Sequence, residues 1–398
     1  MTHIKPNTRP PVDKSLHDPH AAVEALVADF AATAAARDKL GGTAKRERDL
    51  IRQSGLLRLS IPTSLGGTGA DWPEIMGVIR RLANADSAMA HLLAFHYLML
   101  AAIQLFGSPA QAEKFLGGTA KNNWFWGNAV NPRDPRTTLT PVEGGYRLDG
   151  AKSFCSGASD SDMLGIAGQD AESGRFIMAA IPTAREGIII HDDWENIGQR
   201  QTDSGSVSFK QVFVAKDECL LSPGPLSSPF ATLRTCLAQL ILTNIYLGLA
   251  EGALAQAKTY LHALPAEVFS RRREDPYLLR NFGELHVEIA AVRALTDEAQ
   301  RLFQQGFAAG LNGLTAEGRG EIAIAIWGAK VATARTALNV TSRIFELMGA
   351  RSTAAANGFD RFWRNARTHT LHDPLDDKLG EIGNWALNGA YPKPSFYS

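Results

Sequence analysis

Cysteine is scarce in this chain of 398 residues: there are three, Cys155, Cys219 and Cys236. They are odd in number, far apart and outside any Cys-x-x-Cys spacing, which argues against disulfides and a zinc cage and fits a reducing cytoplasm. A surplus of charge is also missing. Forty-one basic side chains balance 41 acidic ones, so neither a nucleic-acid surface nor an anionic membrane face is expected. No G-x-G-x-x-G follows a strand-like run, and there is no G-x-x-x-x-G-K-[ST] loop and no G-x-S-x-G elbow, which argues against nicotinamide dehydrogenases and NTPases. The opening MTHIKPNTRPPVDK has no apolar stretch behind its basic residues, so residues 1–18 read as a flexible arm, neither signal peptide nor anchor. The longest apolar run, Ala88 to Phe106, nears membrane-spanning length. It contains His91, His96 and Gln104 and lacks flanking positive clusters, and so reads as a buried core helix.

What is present divides into three textures. With 45% hydrophobic residues over this length, two or three packed domains are expected. Residues 19–127 carry helical periodicity, with Val23, Leu26 and Phe30 on one face. Residues 128–225 switch to short β-branched and aromatic runs between turns, such as GGYRLDGAKSF, RFIMAAIP and SVSFKQVFV, which predict a small β-barrel or sandwich. Residues 226–398 return to longer helices, with stripes Leu285, Ile289, Val292, Ala299, Leu302 and Ile324, Trp327, Val331, Leu338. Helices of that length suit a four-helix bundle, and their surplus apolar surface predicts oligomerisation. The fold class is therefore mainly α with a central β domain.

Four segments place polar groups in apolar settings. AHLLAFHYL holds His91 and His96 within the most apolar helix, where a histidine most often satisfies a backbone carbonyl. NNWFWGNA leads three aromatics into Asn128 and Ala129, a combination of apolar wall and amide suited to a planar heterocycle. GAKSFCSGASDSD ends a strand in small hydroxyl residues around Cys155 and Ser156. FDRFWRNARTHTLHDPLDDKLGEIG carries His369 and His372 three apart, which share a face if the stretch is helical, and Pro374 then limits how far that helix extends. The matching Glu-x-x-His pairs of a di-iron site are missing, so no metal is expected.

FCSGA, DDWENIGQRQTDSGS, EDPY and GFDRFWRNARTHTLHDP resemble the dibenzothiophene monooxygenases, the desulfurisation-type group among the acyl-CoA-dehydrogenase-like flavin-dependent monooxygenases. The resemblance runs from about His20 to the C-terminus. It implies the acyl-CoA dehydrogenase fold, a homotetramer, and reduced FMN delivered by diffusion from an NADH-dependent flavin reductase. It further implies that O2 adds to flavin carbon 4a as a hydroperoxide, which oxygenates a small apolar, sulfur-containing heteroaromatic substrate. Carried over residue by residue, it makes His91, Ser156 and His372 catalytic. Phe95, Asn128, Ala129, Lys152, Ser153, Phe154, Cys155, Ser156, Trp194, Arg351 and His372 would contact the flavin, and Phe95, Trp194 and His369 would line the substrate pocket. Two departures stand out: Phe95 replaces a tyrosine of the pocket wall, and the loop from Leu264 to Arg273 is shortened, leaving Arg271, Arg272 or Arg273 to replace a flavin-phosphate arginine.

The competing readings are an acyl-CoA dehydrogenase, indole-type aromatic oxygenation by the same flavin chemistry, and a non-catalytic flavin carrier. A dehydrogenase needs a carboxylate base, and Asp373 and Asp376 stand near the expected place without its motif. The R-x-x-F-G signature is one residue short at Arg280 to Gly283.

Overall fold

The computed structural model describes residues 18–398, so the expected N-terminal arm lies outside the described residues except for Asp18. The first helices are α1 (Pro19–Leu40), α2 (Lys45–Gln53), α3 (Trp72–Ala85) and α4 (Ser87–Phe106). Their limits follow from capping. Asp18 accepts from His20 N at 2.9 Å, Asp71 accepts from Glu74 N, and the Asp86 carboxylate takes the free amides of Ala88 and Met89 at 3.0 and 3.1 Å. Helix α4 is apolar all round because it is enclosed on all sides. Each Leu or Phe it buries contributes roughly 1.5–3 kcal/mol. Among the described residues two helices are long and apolar enough to cross a membrane, α4 and the later helix Leu233–His262, and both are almost wholly buried inside the molecule.

Two short pieces, α5 (Pro109–Gln111) and α6 (Gly118–Asn122), lead into seven strands: β1 (Trp126–Ala129), β2 (Thr137–Val142), β3 (Gly145–Lys152), β4 (Met163–Asp170), β5 (Phe176–Pro182), β6 (Ile188–Ile190) and β7 (Val207–Ala215). They form one sheet in the order β1-β4-β2-β3-β7-β6, with β5 on the other edge of β4. The strands β1 and β2 run parallel to β4 and the other pairs are antiparallel. The sheet curls round its own core of Leu139, Leu148, Leu164, Ile166, Ile181, Val212 and Val214, separate from the helical core. Alternation of buried and exposed residues along β2 and β7 puts that core on one face.

Three long helices then pack as a bundle: α7 (Leu233–His262), α9 (Pro276–Gly313) and α10 (Ala316–Met348), with α8 (Ala266–Arg272) in the first connection. The last helices, α11 (Asp360–His369) and α12 (Leu375–Asn388), lie against α10. The expected α9 stripe is buried at Leu285, Ile289, Val292 and Ala299. The expected α10 stripe is buried at Trp327 and Val331 but only half-buried at Ile324 and Leu338, while Ile326, Ala334, Ala337, Val340 and Ile344 are also fully enclosed. Helix α11 stops at His369, and His372 lies in the turn beyond, where its amide donates to His369 O at 3.1 Å. The two histidines thus do not share a helical face. Pro374, two residues after His372, disfavours helical geometry for the residue before it.

Candidate active site

The site forms where α4, the end of β3, the segment before β7 and the end of α11 meet. Beyond Lys152, the β3–β7 ladder continues irregularly: Cys155 N donates to Gly205 O at 2.9 Å and Gly157 N to Thr202 O at 3.0 Å. That register sets Ser156 opposite Ser204. Gly157, at φ +70°, turns the chain under α4, where a Cβ would meet Leu92 Cδ2 at 3.0 Å.

A continuous line of hydrogen bonds results. His369 Nε2 lies 2.9 Å from His91 Nδ1, and His91 Nε2 lies 2.8 Å from Ser156 Oγ. Ser156 Oγ is 2.8 Å from Ser204 Oγ, which donates to Thr202 Oγ1 at 2.7 Å, and Thr202 donates to the Gln199 carbonyl at 2.9 Å. Burial, with a smaller push from His372, draws His91 down to about 3. Burial first, then the neighbouring His91 and His372, holds His369 well below its ordinary value. Both rings are therefore neutral at pH 7, each with one N–H. A carbonyl can only accept, so Thr202 donates into it and the donors align toward Gln199. His369 Nδ1 is buried without a partner. A proton there would be an unsatisfied donor costing roughly 1–3 kcal/mol, so His369 carries its proton on Nε2 and His91 on Nε2.

Phe95 lies against this pair, stacked on His91 with ring centroids 4.1 Å apart, and meets His372 edge-on at 6.1 Å. His372 is 36% exposed at its side chain, with Nδ1 3.4 Å from Asp373 Oδ1. Behind it, Asp373 and Lys330 form an ion pair with side chains 2% and 1% exposed, and Lys330 also donates to Gln239. Burial alone would raise the Asp373 carboxyl; the His372 hydrogen bond and the Lys330 charge override it and hold it below its ordinary 3.8. Burial draws Lys330 down to about 8 against the opposing charge of Asp373. Asp373 is thus enclosed and already paired, unsuited to act as a dehydrogenase base.

Of the other expected residues, Phe154 is 59% exposed at φ +61°, edge-on to Trp194 at 6.1 Å. Trp194 Nε1 donates to the same Gln199 carbonyl at 2.9 Å. The half-buried Asn128 joins the strand end through its backbone N–H, which donates to Ser156 O at 3.1 Å, while its side-chain oxygen accepts from Val130 N at 3.1 Å. Ala129 packs into the sheet core. Lys152 is buried and donates to the carbonyls of Asn131 and Asp134, so its ammonium anchors the loop after β1. Ser153 Oγ accepts from Arg136. Cys155 is enclosed, and burial pushes its thiol up to about 12. His369, expected at the substrate pocket, stands behind His91 and is buried. Arg351 is exposed on the turn after α10, and none of its described contacts reaches the histidines. Arg272 caps α10, donating to Leu347 O and Met348 O at 2.7 and 3.3 Å. His96 is a core residue: Nε2 faces Leu57 O at 2.8 Å, and Nδ1 accepts from Trp126 N at 3.3 Å.

Ser87, Gln199, Thr202, Ser204, Asn365, Gln239 and Lys330 escape sequence reasoning. Gln199 is the junction, held at φ +52°. Its amide donates to Asn365 Oδ1 at 2.6 Å, and its side chain donates to Ser87 Oγ at 3.1 Å. Next to it, a Cβ on Gly198 would fall 2.0 Å from Arg364 O, so only glycine allows the loop to approach α11. The available signal was the cluster of small polar residues in GQRQTDSGS just ahead of a strand.

Family models for the acyl-CoA dehydrogenase N-terminal, middle and C-terminal domains match residues 18–123, 127–212 and 240–376. A probable FMNH2-dependent monooxygenase of Pseudomonas putida is 49% identical over 378 residues, covering 94% of this chain and 95% of that protein. The chain belongs to the flavin-dependent monooxygenases of the acyl-CoA dehydrogenase fold. Among solved structures of this family, methanesulfinate monooxygenase from Pseudomonas fluorescens is 51% identical with a TM-score of 0.93, covering 96% of this chain and 100% of that one. Dibenzothiophene monooxygenase from Paenibacillus sp. A11-2, also solved with FMN and indole, is 39% identical with a TM-score of 0.90 over the same shares. The activity of this family member is therefore reduced-flavin-dependent monooxygenation, with FMN as cofactor and O2 as co-substrate, and not acyl-CoA dehydrogenation.

The residues present fit a flavin. The solvent-facing Phe154, with Trp194 beside it, offers an aromatic edge. Ser156, bonded to His91 and Ser204, keeps one lone pair free for a ring nitrogen.

Proposed function

We propose that this oxygenase acts on a small sulfur compound, with Ser156 and His372 as the residues that touch the reacting atoms and His91 acting through Ser156, since both of its ring nitrogens are engaged. When bound, reduced FMN supplies the electrons that activate O2 for transfer of one oxygen atom. The chain's own residues do the rest. Ser156, at the end of β3, would hold flavin nitrogen 5, and neutral His91 holds the serine from behind. Phe95 and Trp194 exclude water, which keeps activated oxygen from being lost as hydrogen peroxide. His372, on the partly open side and oriented by Asp373, holds or returns a proton at its imidazole. The observation that carries this reading is the neutral His91–Ser156 pair, enclosed beside the Phe95 ring.

The flavin arrives from a separate NADH-dependent reductase, and the oxygenase works in the cytoplasm, where its three free thiols persist. Within the sulfur class, the similarity to the methanesulfinate enzyme favours a short alkyl substrate over a dibenzothiophene-like heterocycle. Arg351, together with an arginine of the α8 segment, is proposed to meet the FMN phosphate. The assembly is a homotetramer, supported by Tyr277, Leu279, Val287 and Leu295, which stand 52–75% exposed along α9.

One screen tests the function. Reduced FMN, O2 and methanesulfinate, dimethyl sulfone, dibenzothiophene or indole are incubated with the protein, and added oxygen is read by mass. Oxygenation of a sulfur compound is the expected result. Indole as the sole oxygenated compound would redirect the substrate assignment, and acyl-CoA-dependent dye reduction would overturn the reaction. Light scattering at one protomer mass of 43.0 kDa across micromolar concentrations would overturn the tetramer.

A further inference from the structure

We propose that Ser204 and Thr202 are positioning residues that make Ser156 a hydrogen-bond acceptor toward the cleft, so that the site selects reduced over oxidised flavin by the proton on flavin nitrogen 5. This rests on the reading that Ser156 faces that nitrogen. A serine hydroxyl has one proton and two lone pairs. In the line ending at Gln199, Thr202 gives its proton to the carbonyl, Ser204 gives its proton to Thr202, and Ser156 gives its proton to Ser204. One lone pair of Ser156 receives the His91 Nε2 proton. The valence left over is therefore a lone pair.

Reduced flavin carries a hydrogen on nitrogen 5, which meets that lone pair as a donor. Oxidised flavin has only a lone pair there, and the two acceptors repel. The line cannot simply reverse. Reversal breaks the bond from Thr202 to Gln199 and moves the His369 proton to Nδ1, which is buried without an acceptor. The Gln199 carbonyl at the far end is fixed in turn by Trp194 Nε1 and by the bonds from Gln199 to Asn365 and Ser87. A device of this kind suits an oxygenase supplied with free reduced flavin in the presence of oxidised flavin.

The test measures affinity, not turnover. Oxidised FMN, and dithionite-reduced FMN under anaerobic conditions, are titrated into the full-length protein and followed by its tryptophan fluorescence. The wild type should bind the reduced form more tightly. Ser204→Ala frees the Ser156 proton to donate into the cleft, so the ratio of oxidised to reduced Kd should fall roughly three- to tenfold. Thr202→Val leaves Ser204 only Ser156 as acceptor and should shift the ratio in the same direction, which preserves the test if one variant fails to fold. Ser204→Thr retains the hydroxyl and should restore the wild-type ratio. A ratio that moves in Ser156→Ala but not in Ser204→Ala or Thr202→Val overturns the proposal and leaves the placement of Ser156 intact. A ratio indifferent to Ser156→Ala overturns that placement itself.

Discussion

Replacing Lys330 by methionine removes the cation from an enclosed ion pair and leaves Asp373 with His372 Nδ1 at 3.4 Å as its remaining side-chain partner. Breaking one side of a buried pair costs roughly 3–5 kcal/mol, because the remaining charge keeps its desolvation penalty. Lys330→Met should fall at the upper end of that range. Asp373→Asn should fall lower, since Lys330 keeps Gln239 and gains an amide oxygen. The double variant removes both charges, so it should be less destabilised than the sum of the single variants by about 2 kcal/mol or more. Equilibrium denaturation at matched protomer concentration measures all three. The acid limb gives a second reading. Asp373 titrates below its unfolded value of 3.8 in the folded chain, so its contribution is present above that value and lost as pH falls through the folded one. Asp373→Asn should flatten this limb. Strict additivity of the single variants, with an unchanged acid limb, would refute the reasoning.

The other expectations concern the histidines and the pocket wall. His91, His96 and His369 are all lowered from 6.5 in the folded state, the first two to about 3 and about 4; their contribution is therefore present above 6.5 and lost as pH falls through the folded values. Melting temperature should decline from pH 6.5 downward, and His96→Phe should reduce that slope without changing product yield per folded molecule. His91→Ala and Ser156→Ala should each divert part of the reduced flavin oxidation to hydrogen peroxide, lowering product formed per flavin oxidised by a few-fold to about tenfold for the one hydrogen bond lost; early melting with unchanged coupling would instead mark both as core residues. Phe95→Tyr adds a hydroxyl to the ring stacked on His91 and should change relative rates among sulfur substrates by a few-fold to about tenfold; an equal loss on every substrate would make the position structural.

Much of the fold could be read from the pattern of apolar residues, because α9 and the strands of the middle region each bury a face whose repeat matches their geometry, while α4, enclosed on all sides, is one long apolar run. The site was legible where an unusual residue breaks such a pattern. His91 and His96 interrupt an apolar helix in the same way, yet one meets Ser156 and the other a backbone carbonyl. Periodicity cannot separate them, because the difference lies in partners 65 and 39 residues away. The line through Ser204, Thr202 and Gln199 was hidden for a related reason. It depends on the register between the end of β3 and the approach to β7, and small hydroxyl residues in a loop look like ordinary turn formers. Lys330 reads as part of a helix face until the turn after α11 brings Asp373 against it.

Gln199 touches Ser87 on α4, Asn365 on α11 and, through its carbonyl, both Trp194 and Thr202. Three stretches distant in sequence thus meet in one residue held at a positive φ. During divergence among homologues, a change of side chain at 199 should rarely occur alone. Substitutions at 87 and 199, whose side chains bond each other, should be gained and lost together, while neighbouring exposed positions such as 195 and 197 drift independently.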